Sequence, residues 1–362
     1  MSRFRFVLEL FRESARIGHA PLPPEAFEAA LECLEFEAVR KGRLPPELGR
    51  RAHWSAAPVW DSALGEPFVA AVELELLGAT AGPGPSADRA PLGGCRLCTH
   101  TFQLFAQDAV HALVRAGRLG AEERVVYRLV AYAVAPGEEA ARPRAAAAPT
   151  FRTVPQPLPL EPSRLDALLA DAEVCGPPHD DEMPLLLWPH VLEEAAVRTA
   201  AAGGVETGGI LVGRLHRDPR GPEILAEVTA QIPARHARAG SKHLEFTPET
   251  WTDVAQALAL RGAGELMLGW WHSHPARTWC GDCEPARRLA CPLARGFFSA
   301  ADRRLHQTVF PRAYSVALVL GDRVRNDLTW ERYHDVYGWS RGDLQPRGYH
   351  LKHAPKGGNH AP

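Results

Sequence analysis

Residues 270–275 read Trp-Trp-His-Ser-His-Pro, which puts two imidazoles one residue apart at the end of an apolar run. In an extended chain, side chains two apart point to the same side. His272 and His274 can therefore meet one ion if "ELMLGWWHSH" (265–274) is a strand. Two histidines alone are a weak signal. A third ligand is offered by Asp302, in "SAAD" at 299–302. Two imidazoles and a carboxylate make a common catalytic zinc set, with the fourth position left to water. A proton must then be taken from that water, and Glu206, in "VETGGILVG", is the best base in the chain. The glycines beside it leave room for a substrate backbone. Ser299, three residues before Asp302, lies one helical turn away on the same face. Its hydroxyl can donate to a developing oxyanion. Of Trp270 and Trp271, one is expected in the core and one toward a substrate groove, although core packing alone explains both. His216, His236 and His243 read as solvated loop residues.

The chain has seven cysteines, an odd number, at 33, 95, 98, 175, 280, 283 and 291. Cys280, Cys283 and Cys291 follow a C-x2-C-x7-C pattern, which resembles an incomplete zinc knuckle. A fourth ligand is needed, and His306, one turn after Asp302, is the first choice, with Cys175 or another histidine as alternatives. A second, structural zinc is the expectation here; reduced cysteines or a redox-sensitive loop are the competing readings. Cys95 and Cys98, followed by His100, are a weaker metal candidate, and ordinary buried cysteines near a strand explain them equally well. No βαβ pattern surrounds that pair, which disfavours a thioredoxin-like site.

The elements that must position these residues are legible from periodicity. Phe27, Ala30, Leu31 and Leu34 recur at helix spacing. Val72, Leu74 and Leu76 alternate with Glu73 and Glu75 as in a half-buried strand. "FQLFAQDAVHALVRAGRLG" reads as a helix ending at Gly117 or Gly120, and "ERVVYRLVAYAV" fits either a strand or a helix. Further on, "PHVLEEAAVRTAAA", "TPETWTDVAQALAL" and "SAADRRLHQTVF" read as helices. "TGGILVGRL", "ILAEVTAQI", "ELMLGWWHSH" and "AYSVALVL" read as strands. The expected organisation is an α+β domain of unknown type over 1–135, a Pro/Ala/Arg-rich linker over 136–175, an α/β domain over 176–340, and a polar, frayed tail over 341–362.

Glu206, then His272-Ser273-His274-Pro275, then Ser299-Ala300-Ala301-Asp302 occur in the order of the JAB/MPN (JAMM) metalloprotease signature, and the chain resembles that family. "ETGGILVGR" is similar to the family's opening strand, and "HLEFTPE" at 243–249 to the segment that follows. The likeness spans roughly 185–330, under half the chain. It implies a cytidine-deaminase-like mixed sheet flanked by helices and one catalytic zinc on His272, His274 and Asp302. Glu206 would be the general base and acid, and Ser299 would stabilise the tetrahedral intermediate. Family members cleave after the C-terminal glycine of ubiquitin or a ubiquitin-like protein, by precursor maturation or by deconjugation. The implied partners are a ubiquitin-like protein, its conjugates, and E1- or E2-like conjugating enzymes. Processing of a sulfur-carrier protein, or a non-catalytic scaffold, are the alternatives; the intact five-residue set speaks against the scaffold. The chain departs from the family at 276–298, where 23 residues separate Pro275 from Ser299 instead of a short connection. Long loops beside active sites are more often functional than idle.

Composition excludes several other classes. The 362 residues carry a formal net charge of -2, which does not suit a non-specific nucleic-acid binder. No long uncharged apolar run suggests a membrane span. Charges interrupt the apolar stretch at the N-terminus, so it does not read as a signal peptide, and a cytoplasmic location is expected. Four lysines against 37 arginines match the bias of a GC-rich genome.

Overall fold

The computed structural model describes residues 4–48, 53–62, 68–78, 90–134, 156–177, 182–240 and 243–353. The chain divides into two compact units, Met1–Leu158 with Ser340–Asp343, and Pro159–Trp339 with Leu344–Pro362. Both are mixed α/β and mostly strands.

The first unit holds β1 (Phe4–Arg12), β2 (Ala15–Pro21), α1 (Glu28–Arg40), β3 (Glu47–Leu48), β4 (His53–Asp61), β5 (Phe68–Leu77), β6 (Pro91–Cys98), α2 (Gln103–Arg115), β7 (Val126–Ala133) and β8 (Gln156–Pro157). Its two three-stranded sheets run β2-β1-β7 and β4-β5-β6. The alternation in β5 buries Val72, Leu74 and Leu76 and turns Glu73 and Glu75 outward. Phe27, Ala30, Leu31 and Leu34 join the same core from the α1 side. The ambiguous segment near residue 130 is a strand, β7, paired along β1. The helix α2 is followed by Gly117 at φ 67, a left-handed position that suits glycine at a helix end.

The second unit holds β9 (Leu160–Pro162), α3 (Leu165–Leu169), β10 (Ala172–Cys175), β11 (Leu185–Leu187), α4 (Pro189–Ala202), β12 (Gly208–Arg217), β13 (Ile224–Pro233), β14 (Arg238–Gly240), β15 (His243–Glu245) and α5 (Pro248–Arg261). Then come β16 (Leu266–His274), α6 (Ala276–Cys280), α7 (Pro285–Ala290), α8 (Ala300–Val309), β17 (Val316–Val324), β18 (Trp330–Ser340), β19 (Asp343–Arg347) and β20 (Tyr349–Lys352). One ten-stranded sheet runs β10-β20-β11-β13-β12-β16-β17-β18-β19, with β9 added beside β12. It is mixed: β16 lies antiparallel to β12 and parallel to β17.

Three expectations change here. Of the linker expected over 136–175, residues 136–155 lie outside the described ones, and 156–175 form β8, β9, α3 and β10. The tail expected to fray from 341 instead supplies β19 and β20. β20 sits between β10 and β11, so its polar sequence is held by ladder hydrogen bonds on both edges. His216, read as solvated, is buried in β12, where Glu227 Oε2 lies 2.9 Å from Nε2 and Ser163 Oγ 2.9 Å from Nδ1. Among the described residues, no helix is long and apolar enough to cross a membrane.

The strand that ends in the two histidines is seated by a glycine. Gly269 pairs with Val316 of β17, and a Cβ there would lie 1.8 Å from the Val316 carbonyl oxygen. Only a hydrogen at that position lets the two strands close. Gly269→Ala should therefore lower stability in thermal or denaturant unfolding by about 3 kcal/mol. Gly221→Ala, whose Cβ meets nothing within 4 Å, is the matched control and should change little. Equal stability of the two variants would overturn this account of the pairing.

Candidate metal centre

The centre is built where β12, β16 and the start of α8 converge. Strand alternation sends His272 and His274 to one side of β16 and Ser273 to the other. Ser273 is fully buried; its N–H donates to the Thr207 carbonyl at 2.8 Å and its Oγ accepts the Thr207 N–H at 3.1 Å. Gly208 pairs with His272 one step earlier in the ladder. Glu206, two residues before the ladder starts, is brought close enough to His272 and Asp302 for their charges to act on it. The backbone of Glu206 is fixed by its N–H donating to the Gly240 carbonyl at 3.0 Å.

The glycines after Glu206 do not leave room for a substrate. A Cβ at Gly208 would lie 2.4 Å from the Trp271 carbonyl oxygen and 2.7 Å from Leu244. One at Gly209 would lie 2.5 Å from both the Ile232 carbonyl oxygen and Trp271 Nε1. These glycines admit protein, namely the neighbouring strands and the Trp271 indole.

Asp302 arrives by a local device. Ser299 is the N-cap of α8: its Oγ accepts the Asp302 N–H at 3.0 Å, and Asp302 Oδ2 accepts the Ser299 N–H at 2.7 Å. This reciprocal capping box satisfies two helix-end donors and fixes the carboxylate rotamer. Ser299 was expected one turn away within the helix; it is the cap itself, and its hydroxyl hydrogen stays available as a donor.

The imidazole Nε2 atoms of His272 and His274 lie 2.9 Å apart. His272 Nε2 is 3.4 Å from Asp302 Oδ1, and His274 Nε2 is 3.7 Å from Asp302 Oδ2. A tetrahedral ion with ligand distances near 2.1 Å has ligand–ligand edges of about 3.4 Å, so the three donors match such a cage. Among the described residues this is the one group of three whose donor atoms all lie within 4.8 Å of one another. Burial, with His272 beside it, pushes His274 down to about 3, so that ring is neutral and offers a lone pair. Burial works to raise Asp302, but His272 and the two bonds at Ser299 outweigh it and hold the carboxyl below the usual range. Burial pushes Glu206 up to about 7, with His272 opposing the rise and Asp302 adding to it. The set can thus hold a divalent cation with a carboxyl of near-neutral pKa beside it.

Both tryptophans are buried, and neither lines a groove. The Trp270 ring stacks on His272 at 4.5 Å and 12°. Its Nε1–H donates to His306 Nδ1 at 3.1 Å. Trp271 Nε1–H donates to Gln231 Oε1 at 3.1 Å. His306 is therefore not a fourth ligand for the cysteines. It is fully buried among Trp270, Phe310 and Trp339, and burial pushes its pKa down to about 3. Its position is what ties α8 to β16. Sequence reading missed this because the partner lies 36 residues away.

The insertion 276–298 is folded into α6, α7 and a short 3-10 turn, Pro292–Ala294. It walls the centre: Phe297 stacks on His274 at 4.4 Å, and Trp279 packs on the same ring at 5.6 Å. A cavity of about 520 Å³ opens beside His274, lined by Leu192, Gly204, Pro275, Thr278 and Tyr333 among others. Cys280, Cys283 and Cys291 are free thiols of the insertion, and the sulfurs of Cys280 and Cys291 lie 3.7 Å apart. Cys95 and Cys98 do not converge: three apart on β6, they face opposite sides, one buried and one exposed.

Zinc at 100 times its Kd should raise the unfolding free energy by about 2.7 kcal/mol, and Asp302→Ala should abolish the part of this gain that belongs to the centre. Ser299→Ala should weaken zinc at the centre by about 10- to 100-fold in chelator competition, because the carboxylate loses its anchor. Ser299→Thr should restore it. Unchanged affinity in the alanine variant would remove the capping box from the centre's design.

No family model matches the chain. No curated protein matches it. Among solved structures, the chain is similar to the solution structure of protein DSY2949 from Desulfitobacterium hafniense, at 20% identity and a TM-score of 0.30, over 48% of this chain and 95% of that one.

Proposed function

We propose that the chain is a zinc-dependent metallopeptidase of the JAB/MPN type, cleaving the peptide or isopeptide bond after the C-terminal glycine of a ubiquitin-like protein. The observation that carries this reading is the Glu206 carboxyl, buried beside His272 and Asp302 and poised near neutral pH. A general base works best with a pKa near the operating pH. The order of Glu206, His272-Ser273-His274-Pro275 and Ser299-x-x-Asp302 supports the same reading.

A zinc ion held by His272, His274 and Asp302 would supply Lewis acidity toward a carbonyl and toward water. Glu206 takes the proton of the attacking water and returns it to the leaving amine. Its raised pKa suits both transfers, since neither protonation state is strongly favoured. Neutral His274 offers a lone pair and ionised Asp302 a negative charge, which together favour a dication. The Ser299 hydroxyl, with its lone pair engaged by the Asp302 N–H, is left to donate to the oxyanion of the tetrahedral intermediate. Phe297 and Trp279 keep solvent from His274.

The test is a set of ubiquitin-like proteins, each fused through its terminal glycine to a reporter. The wild-type chain should release a fragment whose mass ends at that glycine. Glu206→Gln should lose about 10²- to 10⁴-fold in rate while still binding zinc. Equal cleavage by both would remove Glu206 from its role. Cleavage only of a sulfur-carrier fusion would move the substrate to that class. Zinc bound with no turnover on any diglycine-tailed fusion would make the chain a binding protein.

A further inference from the structure

We infer that Cys280, Cys283 and Cys291 form a second metal site, a three-thiolate cradle for zinc that holds the insertion against the first centre. This inference goes beyond the proposed function and does not depend on catalysis.

The insertion needs such a tie. Of its 23 residues, the buried ones are Ala276, Cys280 and Ala294. The helix α7 buries none of its residues. Trp279, Phe297 and Phe298 anchor its two ends, whereas residues 281–293 between them include no buried one, and a metal would stabilise that stretch. The three cysteines are free thiols, so no disulfide does this.

Two of the three thiols already stand at the spacing of a metal knuckle, and the third would close on the ion as it binds. Cys280 Sγ lies 3.7 Å from Cys291 Sγ. A tetrahedral zinc with Zn–S near 2.3 Å has S–S edges of about 3.8 Å. Cys283 is one turn from Cys280 in the chain, so Cys280 stands between the other two. The C-x2-C turn is closed by the Cys283 N–H donating to the Cys280 carbonyl at 3.2 Å. Arg288 gathers the carbonyl oxygens of Cys280, Gly281 and Cys283 on one guanidinium, which fixes the turn from behind. The Ala294 N–H donates to the Cys291 carbonyl at 3.1 Å, which closes the turn after that cysteine. His306 is engaged by Trp270, and Cys283 and Cys291 are half-exposed. The fourth position is therefore left to solvent, as in zinc sites with an open coordination place.

The placement says what the ion does. Cys280 directly follows Trp279, and Cys291 stands six residues before Phe297; both aromatic rings pack on His274. Tying the three cysteines fixes both flanks of the wall around the first centre.

Cobalt(II) separates the two sites on the full chain, reduced and stripped of metal. Thiolate ligands give a strong sulfur-to-cobalt charge-transfer band; a His-His-Asp set gives none. Two cobalt ions per chain are expected, one of them carrying the band. Cys283→Ser should lose the band and one cobalt, while His272→Ala should lose the other cobalt and keep the band. A single cobalt without the band, or a band indifferent to Cys283→Ser, overturns the inference. Should Cys283→Ser fail to fold, alkylation of wild type followed by peptide mapping decides. Bound zinc should slow labelling of Cys280, Cys283 and Cys291 about tenfold or more, and leave exposed Cys98 unchanged. Equal labelling with and without zinc overturns it, as does a Cys280–Cys291 disulfide persisting in the zinc-loaded protein. Loss of peptidase activity with the band intact would count against the proposed function alone.

Discussion

Trp270 carries two obligations at once: its ring lies flat on His272, and its N–H is committed to His306. The first sets the plane of one imidazole ligand. The second sets the rotation and height of α8, and with it the reach of Asp302. Both bonds are buried, and the indole is part of the unit's main core with Phe246, Val254 and Phe310. The relative placement of strand-borne and helix-borne donors is thus inherited from core packing, which is stiff on the scale of a methylene group. Sites supported this way keep their geometry without help from loops.

Around that joint the charges are arranged at a cost. Asp302 and Glu206 are both largely withdrawn from water, and His274 is held neutral. Burying an anionic carboxylate beside a second carboxyl is unfavourable unless a cation or strong donors compensate. Ser299 donates one hydrogen bond to Asp302 and accepts another from it. The imbalance is local and sits where a dication would relieve it. A core that evolved for stability alone would place apolar side chains there.

Much of this centre was legible because its devices are short-range. Two histidines on alternate strand positions, and a serine capping a helix three residues before an aspartate, are local patterns that one period of structure decides. What stayed hidden was long-range. His306 looked like a ligand because it lies one turn from Asp302, whereas its role depends on an indole in a distant strand. The role of the glycines after Glu206 depends on Trp271, Leu244 and Ile232, none of them near in sequence. Cys95 and Cys98 drew attention through spacing that suits a turn, yet on a strand the same spacing points them apart. The strands β19 and β20 escaped notice because "DLQPR" and "YHLK" are five and four residues long, too short for alternation to decide; their burial comes from where the sheet receives them.

That reception has a consequence for how the molecule is made. The sheet places β20 between β10 and β11, two strands synthesised long before it. Chains emerge from the ribosome in order, and domains generally fold as units. Until residue 352 has emerged, β11 has an open edge next to the centre of the sheet. During that interval the nascent chain presents an unpaired, apolar Leu-Leu-Leu segment at 185–187. Such an edge invites pairing with other chains. The sheet is therefore closed only once β20, made after all its other strands, is in place. A cell that makes this protein has reason to keep a chaperone on it until its last strand is delivered.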